Sequence, residues 1–470
     1  MRPTRLADGL NRMVKMALDT GEAGSIEEAH DLFAAYRLHL SLGPDVSESA
    51  TLQAAALTAV NTGRRCFLGG VSVTGPMEAP LAVPWRDRRT FGDAILDLQG
   101  HVVSEAPPDV PVLVIGDVNT RTNHAPLALR ATFDGWTGVV APLGVTRLDE
   151  RSEFTPAGVL AGALGVSEIF QFVRGTNAAA GRRETGLSLW RPGEDFRTME
   201  TEPPIHQLPA RLWLIGLGHL GQAVLWTLGF LPYASPGSVG LVLQDFDELV
   251  KANDSTSLLT TVKHVGWRKA RAMASWCEQR GFRTVVIERR FDANFTVAPD
   301  EPGVAVCGVD NPNARAVLED VGFTRVVEAG LGAGPSEYLA FQVHSFPAQK
   351  SARARWGSLP SADSPTTLLD QPAYRTLRRD GLDECGLLQV AGRTVGAPFV
   401  GAVTSALVAA ELVRMAHGFH RYELVDGTLR SLEALTAIRA SALPPYNPGT
   451  VSADSSARVA TASPASSRTR

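Results

Sequence analysis

The stretch "RLWLIGLGHLGQAVLW", residues 211–226, combines a buried-strand pattern, a turn with three glycines and the start of an apolar helix. Gly216, Gly218 and Gly221 fit the spacing G-x-G-x-x-G, in which a strand leads through a tight turn into a helix whose N-terminus favours an anion. This order predicts a Rossmann-like βαβ unit with a phosphate-binding turn. The pattern alone does not separate dinucleotides from ATP, because dehydrogenases share it.

Polar residues at the ends of the following strands narrow the choice of nucleotide. The second strand, within "VGLVLQDFD" (239–247), ends at Asp245, where a carboxylate accepts hydrogen bonds from ribose hydroxyls. Asp245 and Asp247 could in principle bind a metal, but ribose and turn roles explain them more simply. A lysine and a further carboxylate follow, and a site that neutralises a triphosphate and holds Mg²⁺ needs such groups, whereas hydride transfer does not. The candidate site residues beyond the glycines are Asp245, Asp247, Asn253, Lys269, Asp310 and Asn311.

These motifs and their order resemble the adenylation domain of the ThiF/MoeB and ubiquitin-activating-enzyme superfamily. Its pattern is a glycine turn, D-x-D, S-N-L-x-R-Q, G-x-x-K and a strand ending in D-N with an arginine after it, and the resemblance covers roughly residues 211–440. It implies that Asp245 binds ribose and that Asn253 and Lys269 contact phosphates. It also implies that Asp310 holds Mg²⁺ and that the C-terminal glycine carboxylate of a carrier protein attacks the α-phosphate of ATP.

One position departs from the family pattern. The arginine of the N-L-x-R-Q motif falls on Thr256, so either another cation replaces it or activity is reduced. The candidates for a replacement are Arg268, Lys263 and three arginines near the N-terminus, namely Arg2, Arg5 and Arg12.

The chain divides into two halves with similar patterns. We expect a first domain over residues 1–197, a linker over 198–210, a second domain over 211–442 and a disordered Pro/Ser/Ala/Thr-rich tail over 443–470. Alternating strands and helices in both halves predict an α/β protein with two tandem doubly wound, Rossmann-like sheets. Residues 112–119 followed by a helical stretch and 137–144 match 304–311 and 325–332, which indicates a tandem duplication. The alternative is that any two α/β domains look alike at this level.

The first half lacks a glycine turn. The sequence "PDVSESATLQ" after its first strand offers no backbone that a phosphate could approach closely. We therefore expect an inactive adenylation-like domain there and the ThiF-type active domain in the second half.

A long polar stretch, residues 348–395, matches the family's crossover loop, which passes over the bound carrier tail. Its single cysteine, Cys385, is the candidate acyl acceptor, because a thiolate there could attack an acyl-adenylate and form a thioester. Against this, unpaired cysteines often fill cores, and the neighbouring Asp383 and Glu384 would disfavour a thiolate. The other three cysteines, Cys66, Cys277 and Cys307, are expected in the core. No C-x-x-C pair is present, so no zinc is expected.

The composition is that of an ordinary multidomain protein. The chain has 470 residues, a net charge of −4 and 44% hydrophobic residues, values that give no support to nucleic-acid or anionic-membrane binding. No signal-peptide pattern and no run of about 18 uninterrupted apolar residues is evident, so we expect a cytoplasmic protein.

The resemblance therefore implies an enzyme that uses ATP and Mg²⁺ to activate a ubiquitin-like protein at its C-terminal glycine. It would form a thioester on Cys385 and pass the carrier to a conjugating enzyme, and the Ala/Arg/Gly-rich composition points by analogy to a bacterial conjugation system, such as a defence operon. The main alternative is a sulfur-carrier or peptide adenylyltransferase without conjugation. An NAD-dependent oxidoreductase and a noncatalytic scaffold are the other classes that stay open.

Overall fold

The computed structural model describes residues 3–85, 89–118, 124–198, 202–357, 365–444 and 446–454. The first half (residues 3–197) opens with an N-terminal arm of three helices, residues 3–34, followed by an α/β unit. Its elements are α1 (Pro3–Gly9), α2 (Val14–Asp19), α3 (Ile26–Ala34), β1 (Leu38–Leu42), α4 (Ala50–Gly63), β2 (Val71–Thr74), α5 (Phe91–Asp97), β3 (His101–Val102), β4 (Val112–Ile115), β5 (Ala128–Asp134), β6 (Thr137–Pro142), α6 (Thr155–Arg174) and β7 (Thr185–Ser188).

The connection to the second half carries one short strand, and the second half (residues 211–442) is a larger α/β unit, with one more strand after it. The elements are β8 (Gln207–Pro209), β9 (Arg211–Ile215), α7 (His219–Leu228), β10 (Gly240–Gln244), α8 (Lys269–Glu278), β11 (Arg283–Ile287), β12 (Val304–Cys307), α9 (Pro312–Ala316), β13 (Arg325–Leu331), α10 (Gly334–Glu337), β14 (Ala340–Phe346), α11 (Ala352–Trp356), α12 (Pro372–Arg379), α13 (Glu384–Ala391), α14 (Pro398–Ala416), β15 (Tyr422–Thr428), β16 (Thr436–Arg439) and β17 (Thr450–Ser452).

The two main sheets have the same strand order over their first seven strands. The first sheet runs β3-β2-β1-β4-β5-β6-β7 and the second β11-β10-β9-β12-β13-β14-β15-β16. In each, five neighbouring strands are parallel and the following strands are antiparallel. The prediction of two tandem doubly wound sheets is confirmed, and the shared order agrees with the inferred duplication.

One part of the sequence-based matching of the halves is wrong. Between residues 124 and 137 the chain forms strand β5 rather than a helix, and β5 pairs with β6 through a tight turn at Gly135 and Trp136. Gly135, the first of the two turn residues between Asp134 and Thr137, has a φ of +53°; two-residue hairpin turns require a positive φ at this position, and glycine adopts it without steric cost. By strand order β5, not β6, is the equivalent of β13.

Helices from both halves pack between the sheets and form one shared core. Helix α6 packs against α4 and α14, and α14 also packs against α7. Helices α6 and α14 are long and apolar enough to span a membrane by composition, but they are 89% and 94% buried inside the protein. The apolar character of both helices therefore reflects their place in the core.

The chain beyond residue 442 is ordered further than expected. Strand β17 pairs antiparallel with β8, so that residues 450–452 hold the connection between the halves. Residues 455–470 of the predicted tail lie outside the described residues.

The predicted crossover loop, here called the crossover segment (residues 348–395), contains three helices, α11, α12 and α13. Residues 358–364 within it lie outside the described residues. The polar composition of the segment predicts an irregular loop. The segment instead forms short amphipathic helices whose polar faces account for that composition. Two of them pack on the N-terminal arm, α13 against α1 and α12 against α2.

Candidate functional site

The glycine turn follows β9, and its glycines serve two purposes: some permit close packing of the chain, and one leaves its backbone accessible to a ligand. Gly216 has a φ of +84°, and a Cβ at Gly221 would lie 2.0 Å from the Gly216 carbonyl oxygen, so Gly221 permits close contact between α7 and the turn. A Cβ at Gly218, in contrast, would meet no atom within 4 Å. Gly218 is thus the glycine whose backbone faces open space, as phosphate binding requires.

A cavity of about 750 Å³ opens in front of this turn. The cavity lies at the carboxyl ends of the parallel strands, at the topological switch point between β9 and β12. Doubly wound sheets bind their ligands at this position. The predicted residues that line it are Gly216, Gly218, Asp245, Asp247, Asn253, Lys269, Asp310 and Asn311. Gly221 does not line the cavity, and neither does Cys385.

Asp245 braces the glycine turn. Its Oδ2 accepts a hydrogen bond of 2.7 Å from the backbone N–H of Leu217, and its Oδ1 accepts one of 2.9 Å from Asp247 N–H. Burial raises the pKa of Asp245, while the positive charge of Lys269 and the two backbone hydrogen bonds act in the opposite direction. Because a carboxylate has further acceptor sites, Asp245 can also accept from a ribose hydroxyl in the cavity.

Lys269 is the first residue of α8 and reaches back over the turn. Its Nζ lies 2.8 Å from Oδ2 of Asp247 and 4.0 Å from Oδ2 of Asp245. The Lys269 side chain is 12% exposed, whereas Asp247 is half exposed. The ammonium group is therefore held at the cavity wall by an ion pair that an anionic ligand can exchange for its own oxygens.

Asn253 and Asn311 use part of their hydrogen-bonding capacity to shape the backbone. Asn253 Oδ1 accepts from Val250 N–H at 2.8 Å, and Asn311 Oδ1 caps α9 by accepting from Asn313 and Ala314. Asp310, beside Asn311, is exposed at the cavity. All three residues therefore lie at the cavity, and the two asparagines also fix the local backbone.

Arg12 of the N-terminal arm also lines the cavity. Its backbone N–H donates to Ser255 Oγ at 3.0 Å, across 243 residues of chain. Its Nη1 is buried without a hydrogen-bond partner among the described residues. Burial, together with the charge of Arg393, lowers the pKa of Arg12 to about 10, against which Asp8 acts in part. A guanidinium of this kind favours an anionic ligand, because the unpaired donor is costly when buried.

The other cations proposed near Thr256 lie elsewhere. Lys263 and Arg268 do not line the cavity, and Arg268 donates to Phe246 O at 2.7 Å. Arg2 and the side chain of Arg5 lie outside the described part of the structure. Of the candidates in the described chain, Arg12 is the one at the cavity.

Three arginines of the second half also line the cavity, and two of them were missed. Arg289 and Arg290 follow β11, with Arg290 stacked 4.8 Å over Phe246. Arg315, four residues after Asn311, corresponds to the arginine that follows D-N in the family pattern, and its Nε lies 2.9 Å from Glu328 Oε1. The only sequence signal for the missed pair was their position after a strand that ends beside Asp245. Among the described residues, five cationic and four carboxylate side chains line the cavity, a formal surplus of one positive charge.

The equivalent place in the first half is filled by protein groups. After β1 the chain turns at Gly43 into Asp45, whose Oδ1 accepts from Asp117 N–H at 2.8 Å. The other oxygen, Oδ2, lies 2.5 Å from Arg147 Nη2. A carboxylate thus stands where the second half has its open glycine turn.

The four cysteines differ sharply in exposure. Cys66, Cys277 and Cys307 are buried, as predicted, and burial raises the pKa of Cys277 and of Cys307 to about 12. Cys385 is exposed, in the first turn of α13, with Gln389 3.7 Å from its sulfur. The connection from α13 to α14, residues 394–397, lines the cavity, so Cys385 lies one short helix away from it.

Two tandem doubly wound sheets, with a glycine turn and a cavity at the switch point of the second, define a Rossmann-like α/β protein with a candidate nucleotide site. Models of the BilD N-terminal domain and the BilD C-terminal domain match residues 37–189 and 208–419. "Bacterial E1-like protein BilD" from Collimonas sp. (strain OK412) is 41% identical over 443 residues, which cover 94% of this chain and 95% of that protein. The chain belongs to the BilD family of bacterial E1-like proteins.

Solved structures with a similar fold include E. coli MccB, with 12% identity, a TM-score of 0.33 and coverage of 67% of this chain and 93% of that one. They also include E. coli tRNA N6-threonylcarbamoyladenosine dehydratase, TcdA, in complex with AMP, with 14% identity, a TM-score of 0.27 and coverage of 44% and 85%. The 41% identity to the bacterial E1-like protein, and not these structures, confirms at the level of the family the E1-like protein expected from the motifs.

Proposed function

We propose that the protein activates a ubiquitin-like protein by adenylating its C-terminal glycine with ATP. The observation that carries this proposal is the cavity in front of the open glycine turn, which brings Asp245, Lys269 and Arg12 together from distant parts of the chain. Backbone N–H groups at a helix N-terminus, an ammonium and a guanidinium are the donors that a polyphosphate requires.

In the proposed reaction an oxygen of the carrier's terminal carboxylate attacks the α-phosphorus of ATP. The bond between that phosphorus and the bridging oxygen to the β-phosphate breaks, and pyrophosphate leaves with the electron pair. Asp245 would bind the ribose, while Asn253 and Lys269 would hold phosphate oxygens. Lys269 would exchange its ion pair with Asp247 for a phosphate oxygen, which places positive charge where negative charge develops.

Arg12 is proposed to replace the arginine that the family carries at the position of Thr256. The two residues line the same cavity, and the N-terminal arm is anchored beside Thr256 through the hydrogen bond between Arg12 N–H and Ser255 Oγ. The first half would then contribute a cation to the site of the second, although it has no nucleotide turn of its own. The turn after β1 in the first half carries the Asp45 carboxylate, and a carboxylate repels phosphate. This supports the proposal that the first domain is inactive.

The charge of the cavity agrees with a requirement for a divalent cation. A surplus of one positive charge does not neutralise a bound triphosphate, and Mg²⁺ supplies the remaining charge when it is bound. Asp310 is the side chain proposed to hold it, being an exposed carboxylate at the cavity. Among the described residues no group of three or more metal-ligating side chains is found, as suits an ion held by one carboxylate and substrate phosphates.

A second step is proposed at Cys385. Its thiolate would attack the acyl carbon of the adenylate, AMP would leave, and the resulting thioester would be passed to a conjugating enzyme. The exposure of this sulfur supports the step, because the other three thiols are buried. To reach Cys385 the carrier tail would have to run from the cavity along residues 394–397, which line the cavity and follow α13.

The alternative is adenylation without conjugation, as for sulfur carriers or peptides. The observation that favours it is that Cys385 does not line the cavity. Adenylation needs no residue of the crossover segment as a nucleophile, so the acyl-adenylate could be passed directly to another acceptor.

Intact mass measured without reductant separates these proposals. The protein is incubated with Mg-ATP and a ubiquitin-like protein encoded beside its own gene. A thiol-sensitive adduct of carrier mass, absent in Cys385→Ala and in Lys269→Ala, is the expected result. AMP formation without an adduct would favour the alternative, and failure to consume ATP would leave a noncatalytic scaffold.

A further inference from the structure

The 253–260 loop forms one wall of the cavity and has no regular structure of its own beyond a short 3-10 turn, Lys251–Ser255. Asn253, Thr256 and Ser257 of this loop line the cavity. The position of the loop therefore has to be set by contacts from outside it. Most of these contacts come from the first half of the chain.

Arg65, just after α4, is the centre of these contacts. It is 2% exposed. Its Nη2 donates to the carbonyl oxygens of Ser257, Leu258 and Thr260 at 3.0, 3.2 and 3.1 Å. Its Nη1 donates to the backbone and side-chain oxygens of Asn61. Three carbonyls of a single loop thus converge on one side chain that lies nearly 200 residues earlier in the sequence.

Two neighbours of Arg65 extend this attachment. Arg64 Nη2 lies 2.7 Å from Asp254 Oδ1, which is also 3.7 Å from Arg65 Nη2. Asn61 Nδ2 donates to Leu258 O at 3.1 Å. The loop is therefore held over most of its length by the end of α4.

On its other side the loop is tied to the glycine turn through Gln222 of α7. Gln222 Oε1 accepts from Leu259 N–H at 3.1 Å and from Thr260 Oγ1 at 3.0 Å, while its Nε2 donates to Leu217 O at 3.0 Å. Leu217 lies between Gly216 and Gly218. A continuous chain of hydrogen bonds thus runs from Arg65 through the loop to the phosphate-binding turn.

The charge of Arg65 also acts at the glycine turn. Among the described residues Asp254 is its one carboxylate partner, at 3.7 Å and shared with Arg64. The pKa of His219, in the turn, is lowered to about 4, mainly by burial, and the Arg65 charge lowers it as well. Two arginines that share a single carboxylate leave a net positive charge against the loop, and neither arginine lines the cavity.

We infer that Arg65 is a positioning residue for the nucleotide site, by which the half of the chain without a glycine turn holds the 253–260 loop against the turn of the other half. This inference rests on the proposed nucleotide site and extends it. Arg65 does not touch the ligand. It sets the affinity for Mg-ATP by fixing Asn253, Thr256 and Ser257, and by adding positive charge behind them.

The test compares Mg-ATP binding, measured by isothermal titration calorimetry on the full chain, between wild type and Arg65→Met. Methionine keeps much of the volume of the arginine stem and removes the charge and the hydrogen bonds. Gln171→Met is the matched control, since Gln171 is fully buried and donates across the halves to Leu429 O at 3.1 Å. All titrations are made well below the unfolding temperature of each variant.

We expect Arg65→Met to weaken Mg-ATP binding by at least about tenfold, as for the loss of one charge-assisted contact, and Gln171→Met to bind like wild type. Arg65→Lys, which keeps the charge but cannot reach three carbonyls, is expected to fall between, and it decides the matter if Arg65→Met does not fold. Equal affinity in wild type and both Arg65 variants would overturn the inference while leaving the proposed function intact. Equal weakening in Gln171→Met would also overturn it, because the effect would then be one of the interface in general. Absence of binding in wild type would overturn the proposed function itself, and this inference with it.

Discussion

The contrast between Gly218 and Gly221 gives a prediction that separates ligand binding from folding within one turn. A Cβ at Gly218 meets no atom within 4 Å, and its φ of −84° is not in the left-handed region. Gly218→Ala should therefore fold, with its free energy of unfolding within about 1 kcal/mol of wild type. The added methyl group instead occupies the space from which a phosphate would approach the backbone.

The expected cost to binding follows from the contact that is lost. A hydrogen bond from a backbone N–H to a charged oxygen contributes about 1.5–3 kcal/mol, so the dissociation constant of Mg-ATP should rise about 10- to 150-fold. Gly221→Ala is the complementary variant. Its Cβ would lie 2.0 Å from the Gly216 carbonyl oxygen, and overpacking of this kind costs about 1–3 kcal/mol or more.

Calorimetric titration with Mg-ATP and thermal unfolding of the free protein, carried out on both variants, test the pair. Gly218→Ala should lose affinity with little change in unfolding temperature, and Gly221→Ala should unfold at a lower temperature. Wild-type affinity in Gly218→Ala would refute the assignment of the phosphate to this turn. Wild-type stability in Gly221→Ala would refute the close contact between helix and turn.

Three further predictions concern single residues. Arg12→Gln should lower kcat/KM for ATP in ATP–pyrophosphate exchange about 10- to 150-fold, because a charged contact is lost. The control, Arg268→Gln, should stay close to wild type because Arg268 does not line the cavity. Equal losses in the two variants would contradict the role of Arg12. Iodoacetamide on the native protein should label Cys385 alone, because the other thiols are buried, and peptide mass spectrometry that finds a second labelled cysteine would contradict the packing. Burial raises the pKa of Glu202 to about 7; the hydrogen bond from Trp136 N–H opposes this shift and the charge of Asp134 adds to it. The folded state therefore binds this proton more tightly than the unfolded chain does. The stability that Glu202 contributes is present at low pH and is lost as the pH rises through about 7. Urea unfolding of wild type and Glu202→Gln between about pH 5 and pH 8 should show a smaller pH dependence in the variant, and identical curves would contradict the shift.

The part of the site that lies on consecutive strands and helices could be predicted from the sequence. Gly216, Gly218 and Asp245 follow from the order strand, glycine turn, helix, strand, because parallel strands bring their carboxyl ends to one edge. Lys269 and Asp310 followed from a resemblance whose motifs keep their order along the chain. These residues line the cavity as expected.

What escaped prediction is set by contacts over long distances in the chain. Arg12 could be named only as one of several arginines, since its place depends on the packing of the N-terminal arm against a loop 243 residues later. Arg289 and Arg290 lie in an irregular connection, which periodicity does not describe. Strand β5 and its hairpin turn at Gly135 and Trp136 do not follow from the periodicity of the sequence, and the polar composition of the crossover segment conceals its helices.

The cavity wall is assembled from chain segments that are synthesised far apart in time. Arg12 belongs to the N-terminal arm, the glycine turn follows about 200 residues later, and residues 394–397 are synthesised last of the three. No fragment that ends before the crossover segment contains the complete wall. A nucleotide that binds only the complete wall stabilises only the complete fold, so a shift in unfolding temperature on addition of ATP would report whether the whole chain, and not merely its second half, has reached its native arrangement.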